Sequence, residues 1–339
     1  MKHSGLAMHT LVPERRLRRL ATLAVLVGVL VAVTPAAARE RGHNGQIAFV
    51  RADPLVTHAV YTVNPDGSHE QRLLSDPIDL NGSNWSRDGS AIVAFAAGDG
   101  SAAWIVDADT GTHRAIPNPD PGRFNFFFAC SVPSPDFERL ACGGGGDDES
   151  SNGLYTLRAS DGGDLRQLTS NTIEDDLGDY SPDGKRLVYF HFNGWDDTGL
   201  EVLKVNGTGT RKIAPCCASG GSWSPQGNEI VFSSSPPATS FEDAVHSKIW
   251  VVHSDGSGLR EIEVAGCNGG PFSDPDAHGC VNPVWSPDGK KILFRVTTPG
   301  FGEGGDLYTI NADGTDMTQV THDGDVDVAD WGTHPLATS

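Results

Sequence analysis

The 339-residue chain carries 25 Lys and Arg against 44 Asp and Glu, a formal net charge of −19, which excludes a nucleic-acid surface of clustered cations. Its 41 Gly and 21 Pro exceed average usage without the every-third-residue glycine of collagen, and 38 % hydrophobic residues with seven Trp exclude wholesale disorder. What remains is a turn-rich globular protein with much β structure.

Residues 1–38 read as a secretory signal. Arg15, Arg16, Arg18 and Arg19 precede an apolar run from Leu20 to Val33, and Ala36, Ala37 and Ala38 offer a peptidase site. The run is too short to span a bilayer, so no stable membrane insertion is expected after cleavage; an uncleaved anchor is the competing reading. A linker over 39–43 then leads into a domain expected over 44–335, with a tail at 336–339. The expected location is secreted, periplasmic or in the cell envelope.

After residue 44 a phrase repeats. Trp85-Ser86-Arg87-Asp88-Gly89 precedes the alternating run Ala91–Phe95. It returns as Tyr180-Ser181-Pro182-Asp183-Gly184, as Trp223-Ser224-Pro225-Gln226-Gly227 and as Trp285-Ser286-Pro287-Asp288-Gly289, each before a short β-favouring run. Pro133-Ser134-Pro135-Asp136-Phe137 is a degenerate copy, and Trp331 opens one the chain does not finish. Between these anchors lie Asp66-Gly67, Thr110-Gly111, Asp161-Gly162, Asn206-Gly207, Asp255-Gly256 and Asp313-Gly314. Such dipeptides supply the positive φ of tight hairpin turns, so each unit holds two hairpins, hence four strands.

Four short strands at a period of roughly 40–50 residues are the signature of a propeller blade. The count reaches six if the strand Gln46–Val50, which has no anchor before it, pairs with the strand ending at Trp331. That closure removes the exposed sheet edges. The aromatic anchors Trp85, Tyr180, Trp223, Trp285 and Trp331 are then structural, packing between blades, and Ser-Pro-Asp-Gly only turns the chain. The interval from Trp223 to Trp285 is longer than the others, with its surplus between Val264 and Val281.

The six cysteines of an exported chain are disulfide candidates. Local pairing joins Cys130 to Cys142 and Cys267 to Cys280, leaving adjacent Cys216 and Cys217 as a vicinal bridge or reduced; a competing map pairs one of these with Cys280.

The repeat W-S-P-D-G-x-x-I-x-F followed by D-G-x-x-x-x-L-T, with Leu168-Thr169 and Val320-Thr321 supplying its end, resembles the TolB-like (WD40-like PD-repeat) propeller family. The resemblance covers nearly all of the chain after the signal and implies an all-β, six-bladed propeller of four-stranded antiparallel blades, closed by pairing the N-terminal strands with the C-terminal strand. TolB also carries an N-terminal α/β domain, for which too few residues precede the first strand, so its role in envelope assembly is not implied. Peptidase relatives carry an α/β-hydrolase domain, not expected in a chain that stops soon after Trp331. Other relatives are pectin-fragment lyases with a His-bound metal, but His191, His246, His278 and His322 fall in different repeats and match no such set.

No G-x-S-x-G, H-E-x-x-H or P-loop occurs, and no catalytic residue is nominated. Gly300, Gly302 and Gly305 satisfy G-x-G-x-x-G between two strands and read as a hairpin loop; Gly143 to Gly146 read as a solvated loop. The candidate site is acidic. Asp175, Asp176 and Asp179 precede Tyr180, and Asp323, Asp325, Asp327 and Asp330 precede Trp331. At a strand period of two, Asp323, Asp325 and Asp327 project to one side. Asp175, Asp176, Asp325 and Asp327 are the expected ligand-binding set at one channel mouth, with Ca²⁺ at Asp175 and Asp327 as a possible occupant and no cofactor required. The leading expectation is a monomeric, non-enzymatic binding or scaffold propeller for a protein, peptide or glycan. A propeller-based polysaccharide lyase or glycan hydrolase and a calcium-stabilised envelope protein are the alternatives.

Overall fold

The computed structural model describes residues 42–96, 98–171, 173–194, 198–215, 218–235, 246–271, 274, 276–297 and 304–338. The signal segment and Cys216-Cys217 lie outside the described residues. Among the described residues, no helix is long and apolar enough to cross a membrane.

Alternating apolar runs between tight turns give 24 strands among the described residues. The first three are β1 (Ile47–Asp53), β2 (Val56–Val63) and β3 (Gln71–Arg72). A second set is β4 (Asn81–Trp85), β5 (Ala91–Phe95), β6 (Ser101–Asp107) and β7 (His113–Pro117). A third is β8 (Phe127–Pro133), β9 (Arg139–Gly145), β10 (Gly153–Arg158) and β11 (Arg166–Gln167). The fourth comprises β12 (Glu174–Tyr180), β13 (Arg186–Phe192), β14 (Thr198–Lys204) and β15 (Arg211–Pro215). Then come β16 (Ala218–Trp223), β17 (Glu229–Ser234), β18 (Lys248–His253) and β19 (Arg260–Ile262), followed by β20 (Cys280–Trp285), β21 (Lys291–Thr297), β22 (Gly305–Asn311) and β23 (Thr318–Gln319). The last strand is β24 (Val326–Trp331).

Six four-stranded antiparallel sheets result, five of them consecutive in sequence and one ordered β24-β1-β2-β3. We number the blades from this closing sheet, so blade I holds β24 to β3, blade II β4 to β7, and so on to blade VI with β20 to β23. Ile47 pairs with Trp331 and Ala48 with Asp330, and the Trp331 indole donates to the Gly45 carbonyl at 3.0 Å. The first and last described strands therefore share one sheet. The inner strands β24, β4, β8, β12, β16 and β20 contact one another in turn and ring the channel, which sets blades I and IV opposite each other.

The anchors sit where their repetition implies, in the seams between blades. Trp85 packs with Ala48 and Val50 of blade I, Trp223 with Val188 and Leu200 of blade IV, and Trp331 with Leu293 and Leu307 of blade VI. Blade III has Pro133 at the anchor position. There the seam is filled by Phe124, Phe128 and Tyr155, with Phe124 and Phe128 centroids 4.2 Å apart, and by the Cys130–Cys142 disulfide. The second local bridge, Cys267–Cys280, ties the base of the long loop before β20.

All inner strands run the same way, from a face bearing the connections between blades to a face bearing the Ser-x-Asp-Gly turns. We call these the loop face and the turn face. On the turn face one bond recurs five times: the fourth turn residue, Gly89, Phe137, Gly184, Gly227 or Gly289, donates its N–H to the serine carbonyl at 2.8 Å. The serine hydroxyl is buried and accepts the N–H that opens the next strand, as from Ala91 at 2.9 Å and Arg186 at 2.9 Å. The turn needs positive φ at that fourth residue, and even Phe137 adopts 57° there.

One local expectation is overturned. Gly143, Gly144 and Gly145 belong to β9, and Gly144 to Gly146 are buried rather than solvated. Aromatic rings take the space that side chains would need: a Cβ on Gly144 would meet Phe128 at 2.8 Å and Phe124 at 3.0 Å. Of the G-x-G-x-x-G residues, Gly305 opens β22, while Gly300 and Gly302 lie outside the described residues.

Candidate functional site

Each inner strand carries a register shift shortly before its anchor, between Asn81 and Asn84 in β4, Leu177 and Tyr180 in β12, Ser219 and Ser222 in β16, and Val281 and Val284 in β20. A bulge inserts a residue and re-aims the side chains beside it. Here it turns the residue before the anchor toward the next blade. Asp330 Oδ2 accepts the Trp85 N–H at 2.8 Å, Asp179 Oδ2 accepts the Trp223 N–H at 3.2 Å, and Ser222 Oγ accepts the Trp285 N–H at 3.3 Å. These bonds stitch neighbouring blades at the channel wall.

The channel encloses a cavity of about 450 Å³ whose wall includes Asp179, Asp327 and Asp330. At its turn-face end the second turn residues form a rim of Pro135, Pro182, Pro225 and Pro287, with Arg87 in the equivalent place in blade II. Burial pushes the Asp179 carboxyl up to about 7, with the Asp330 charge adding to the rise and the backbone bonds and Arg87 opposing it. Burial likewise pushes Asp330 up to about 6, against the N–H groups of Trp85 and Trp331. Both carboxyls keep some accessible surface where they line the cavity. Two desolvated carboxylates share one cavity, and the described lining contains no His, Cys, Lys or Glu.

The four acids expected from sequence are dispersed. Asp175 is buried inside blade IV, where its carboxylate bonds the His191 ring at 2.7 Å, Thr169 Oγ1 at 2.5 Å and Asn171 Nδ2 at 3.0 Å. Asp176, its neighbour, is exposed on the loop face. Asp325 precedes β24, and its Oδ1 is buried without a hydrogen-bond partner. Asp327 lines the channel and pairs with Arg295 at 3.6 Å. Asp175 and Asp327 thus belong to opposite blades with separate partners. Among the described residues, no three His, Cys, Asp or Glu are grouped to hold a metal ion.

Asp179 and Asp330, named among the acids before the anchors but not in the expected ligand-binding set, are the pair the channel brings together. Their signal was the recurrence of a polar residue immediately before the anchor, Asn84, Asp179, Ser222 and Asp330.

With this geometry in hand, similarity to known proteins is informative only in three dimensions. No protein-family model matches the chain, and no curated protein matches its sequence. TolB from Acinetobacter baumannii superimposes with a TM-score of 0.63 at 18 % identity, over 85 % of this chain and 66 % of that one. The fold is that of a TolB-like six-bladed propeller. A putative TolB from Agrobacterium tumefaciens gives 0.61 at 17 % identity, covering 84 % of this chain and 91 % of that one. An oligogalacturonate lyase from Vibrio parahaemolyticus gives 0.51 at 14 %, over 85 % and 81 % of the two chains. The TolB-like architecture therefore spans proteins of different activity, and the chain covers just under two thirds of the Acinetobacter protein.

Proposed function

We propose that this TolB-like propeller is an exported binding or scaffold protein that takes a protein or peptide partner at its loop face. The carrying observation is the contrast between faces: one repeats the same turn in five blades, the other bears the long connections, the second disulfide loop and the exposed Phe side chains. Loops held by a rigid scaffold are where recognition is usually placed. Two disulfides suit an oxidising compartment, in keeping with the signal-like residues 1–38.

One observation favours a second reading. Asp179 and Asp330, both raised toward neutrality in a shared cavity, have the protonation behaviour of a general acid and base, as a glycan hydrolase or lyase on this ring would need. Their engagement with backbone N–H groups of the next blade supports the structural role instead. The two readings separate by assay. Purified protein is expected to leave acidic polysaccharides unchanged and to retain a protein partner after washing; turnover that Asp179→Asn or Asp330→Asn abolishes would overturn the binding reading. This reading requires no cation, and a chelator that lowers Tm by several degrees would revive the calcium-stabilised alternative.

A further inference from the structure

The loop face carries one group of large apolar side chains that the propeller core does not absorb. Phe126 is 69 % exposed, Phe127 51 % and Ile173 48 %. Phe127 opens β8, Phe126 directly precedes it, and Ile173 directly precedes β12, so all three stand at the same end of neighbouring inner strands. Phe127 and the approach to β12 share Asn152 as a neighbour: a Cβ on Gly145 would meet both Phe127 Cε1 at 2.8 Å and Asn152 Oδ1 at 2.9 Å, and the Asn152 carbonyl accepts the N–H of Asn171, two residues from Ile173.

The surroundings are acidic. Asp120 lies in the connection into β8, and Asp147, Asp148 and Glu149 lie in the loop that follows β9; all four are exposed. Asp147 Oδ2 accepts from Asn125 Nδ2 at 2.5 Å, directly beside Phe126. The nearby cation, Arg123, is committed to the Tyr155 hydroxyl at 2.9 Å and Gln167 Oε1 at 2.7 Å, and stacks over Phe124. Exposed Phe side chains within a rim where four exposed acids outnumber the one Arg123 charge have the anatomy of an interface core with its rim. The sign selects the occupant. A second copy of this chain, at −19, or an anionic membrane would bring like charge against the acids.

We propose that the surface of Phe126, Phe127 and Ile173 docks a partner segment bearing a large apolar side chain flanked by Lys or Arg. This rests on the loop face being the binding face and names the chemistry of what it binds. The apolar group supplies lifetime by burial against the two rings, and the flanking cations supply encounter rate and orientation.

The test uses the full protein and three labelled synthetic peptides read by fluorescence anisotropy. One carries a central Trp-Leu pair flanked by Lys, a second the same pair flanked by Glu, and a third Lys flanks around Ser-Ser. The Lys-flanked apolar peptide is expected to bind at least about 10-fold tighter than either control. Phe126→Ser and Ile173→Ser, both at exposed positions, should each weaken it by roughly 10-fold with Tm unchanged, and Glu149→Lys should weaken it a few-fold and flatten its salt dependence. Equal binding of all three peptides, no binding by any, or indifference to both apolar variants overturns the proposal. So does a Phe126-dependent dimer in sedimentation, or preferential binding to phosphatidylglycerol vesicles. If the peptides fail while a captured protein still protects other loop-face segments from hydrogen exchange, this inference falls and the binding function stands.

Discussion

On the turn face, the Ser-led turns of five blades repeat one hydrogen bond at one distance, and their serines are buried; on the loop face, the described connections between blades differ in length and sequence, with only the Leu168-Thr169 and Val320-Thr321 exits repeating one pattern. The difference shows which residues answer to the ring and which do not. A Trp or Tyr anchor, a Ser-Pro-Asp-Gly turn and a bulge recur because every blade must meet its neighbour in the same way. Phe126, Phe127, Ile173 and the loop tied by Cys267–Cys280 occur once and have no counterpart in the other blades. Substitutions on the two faces should therefore fail differently, in stability on one and in binding on the other.

The largest stability effect is expected where the ring closes. Trp331→Ala empties the seam between blades I and VI and orphans the Gly45 carbonyl, and should cost about 3–5 kcal/mol in chemical denaturation. A loss below about 1 kcal/mol would mean that closure by β24 and β1 does not hold the ring together. Next is the blade without an aromatic anchor. Replacing Cys130 and Cys142 together by Ser should cost about 2–4 kcal/mol, since the bridge and the Phe124–Phe128–Tyr155 cluster stand in for the missing Trp.

Titration sharpens the comparison further, because the channel and the turns respond to pH in opposite senses. Asp179 and Asp330 have folded pKa values above that of an unfolded aspartate, so the native state holds more protons between about 4 and 7 and loses stability as pH rises through that window. Asp136 and Asp183 in the turns are held low, first by the hydroxyls of Ser134 and Ser181, and their contribution is present above the unfolded pKa and lost as pH falls. Stability should peak in mildly acidic buffer. Asp330→Asn should raise stability at pH 8 relative to pH 5 by on the order of 2 kcal/mol, and an unchanged pH profile would show that its carboxyl is not desolvated. Smallest is a single turn: Ser181→Ala leaves the Arg186 N–H without its acceptor and should cost about 1–2 kcal/mol, read from the shift in denaturation midpoint, with peptide binding unchanged.

The fold was legible because it is periodic. Trp85, Tyr180, Trp223, Trp285 and Trp331 mark the inner strands at near-regular spacing, and the unpaired strand after Gln46 completes the first blade. The candidate site was legible only in kind. An acidic channel was expected, but strict alternation along β24 was assumed, and the register shift between Val326 and Ala329 breaks that alternation at Asp327. The Asp175 carboxylate was absorbed by His191 on the paired strand, a contact fixed by register between β12 and β13 and invisible in composition. The glycine run in β9 misled for a related reason: without side chains of its own it reads as loop, whereas Phe124, Phe127 and Phe128 supply the side chains that cover it.

The claim that recognition belongs to the loop face is tested most directly by hydrogen exchange of the protein with and without the Lys-flanked Trp-Leu peptide. Slowed exchange is expected over 118–127, 146–152 and 170–176, with the turns at 86–90, 181–185 and 286–290 unchanged. Protection centred on those turns, or on the proline rim at the other end of the channel, would contradict it.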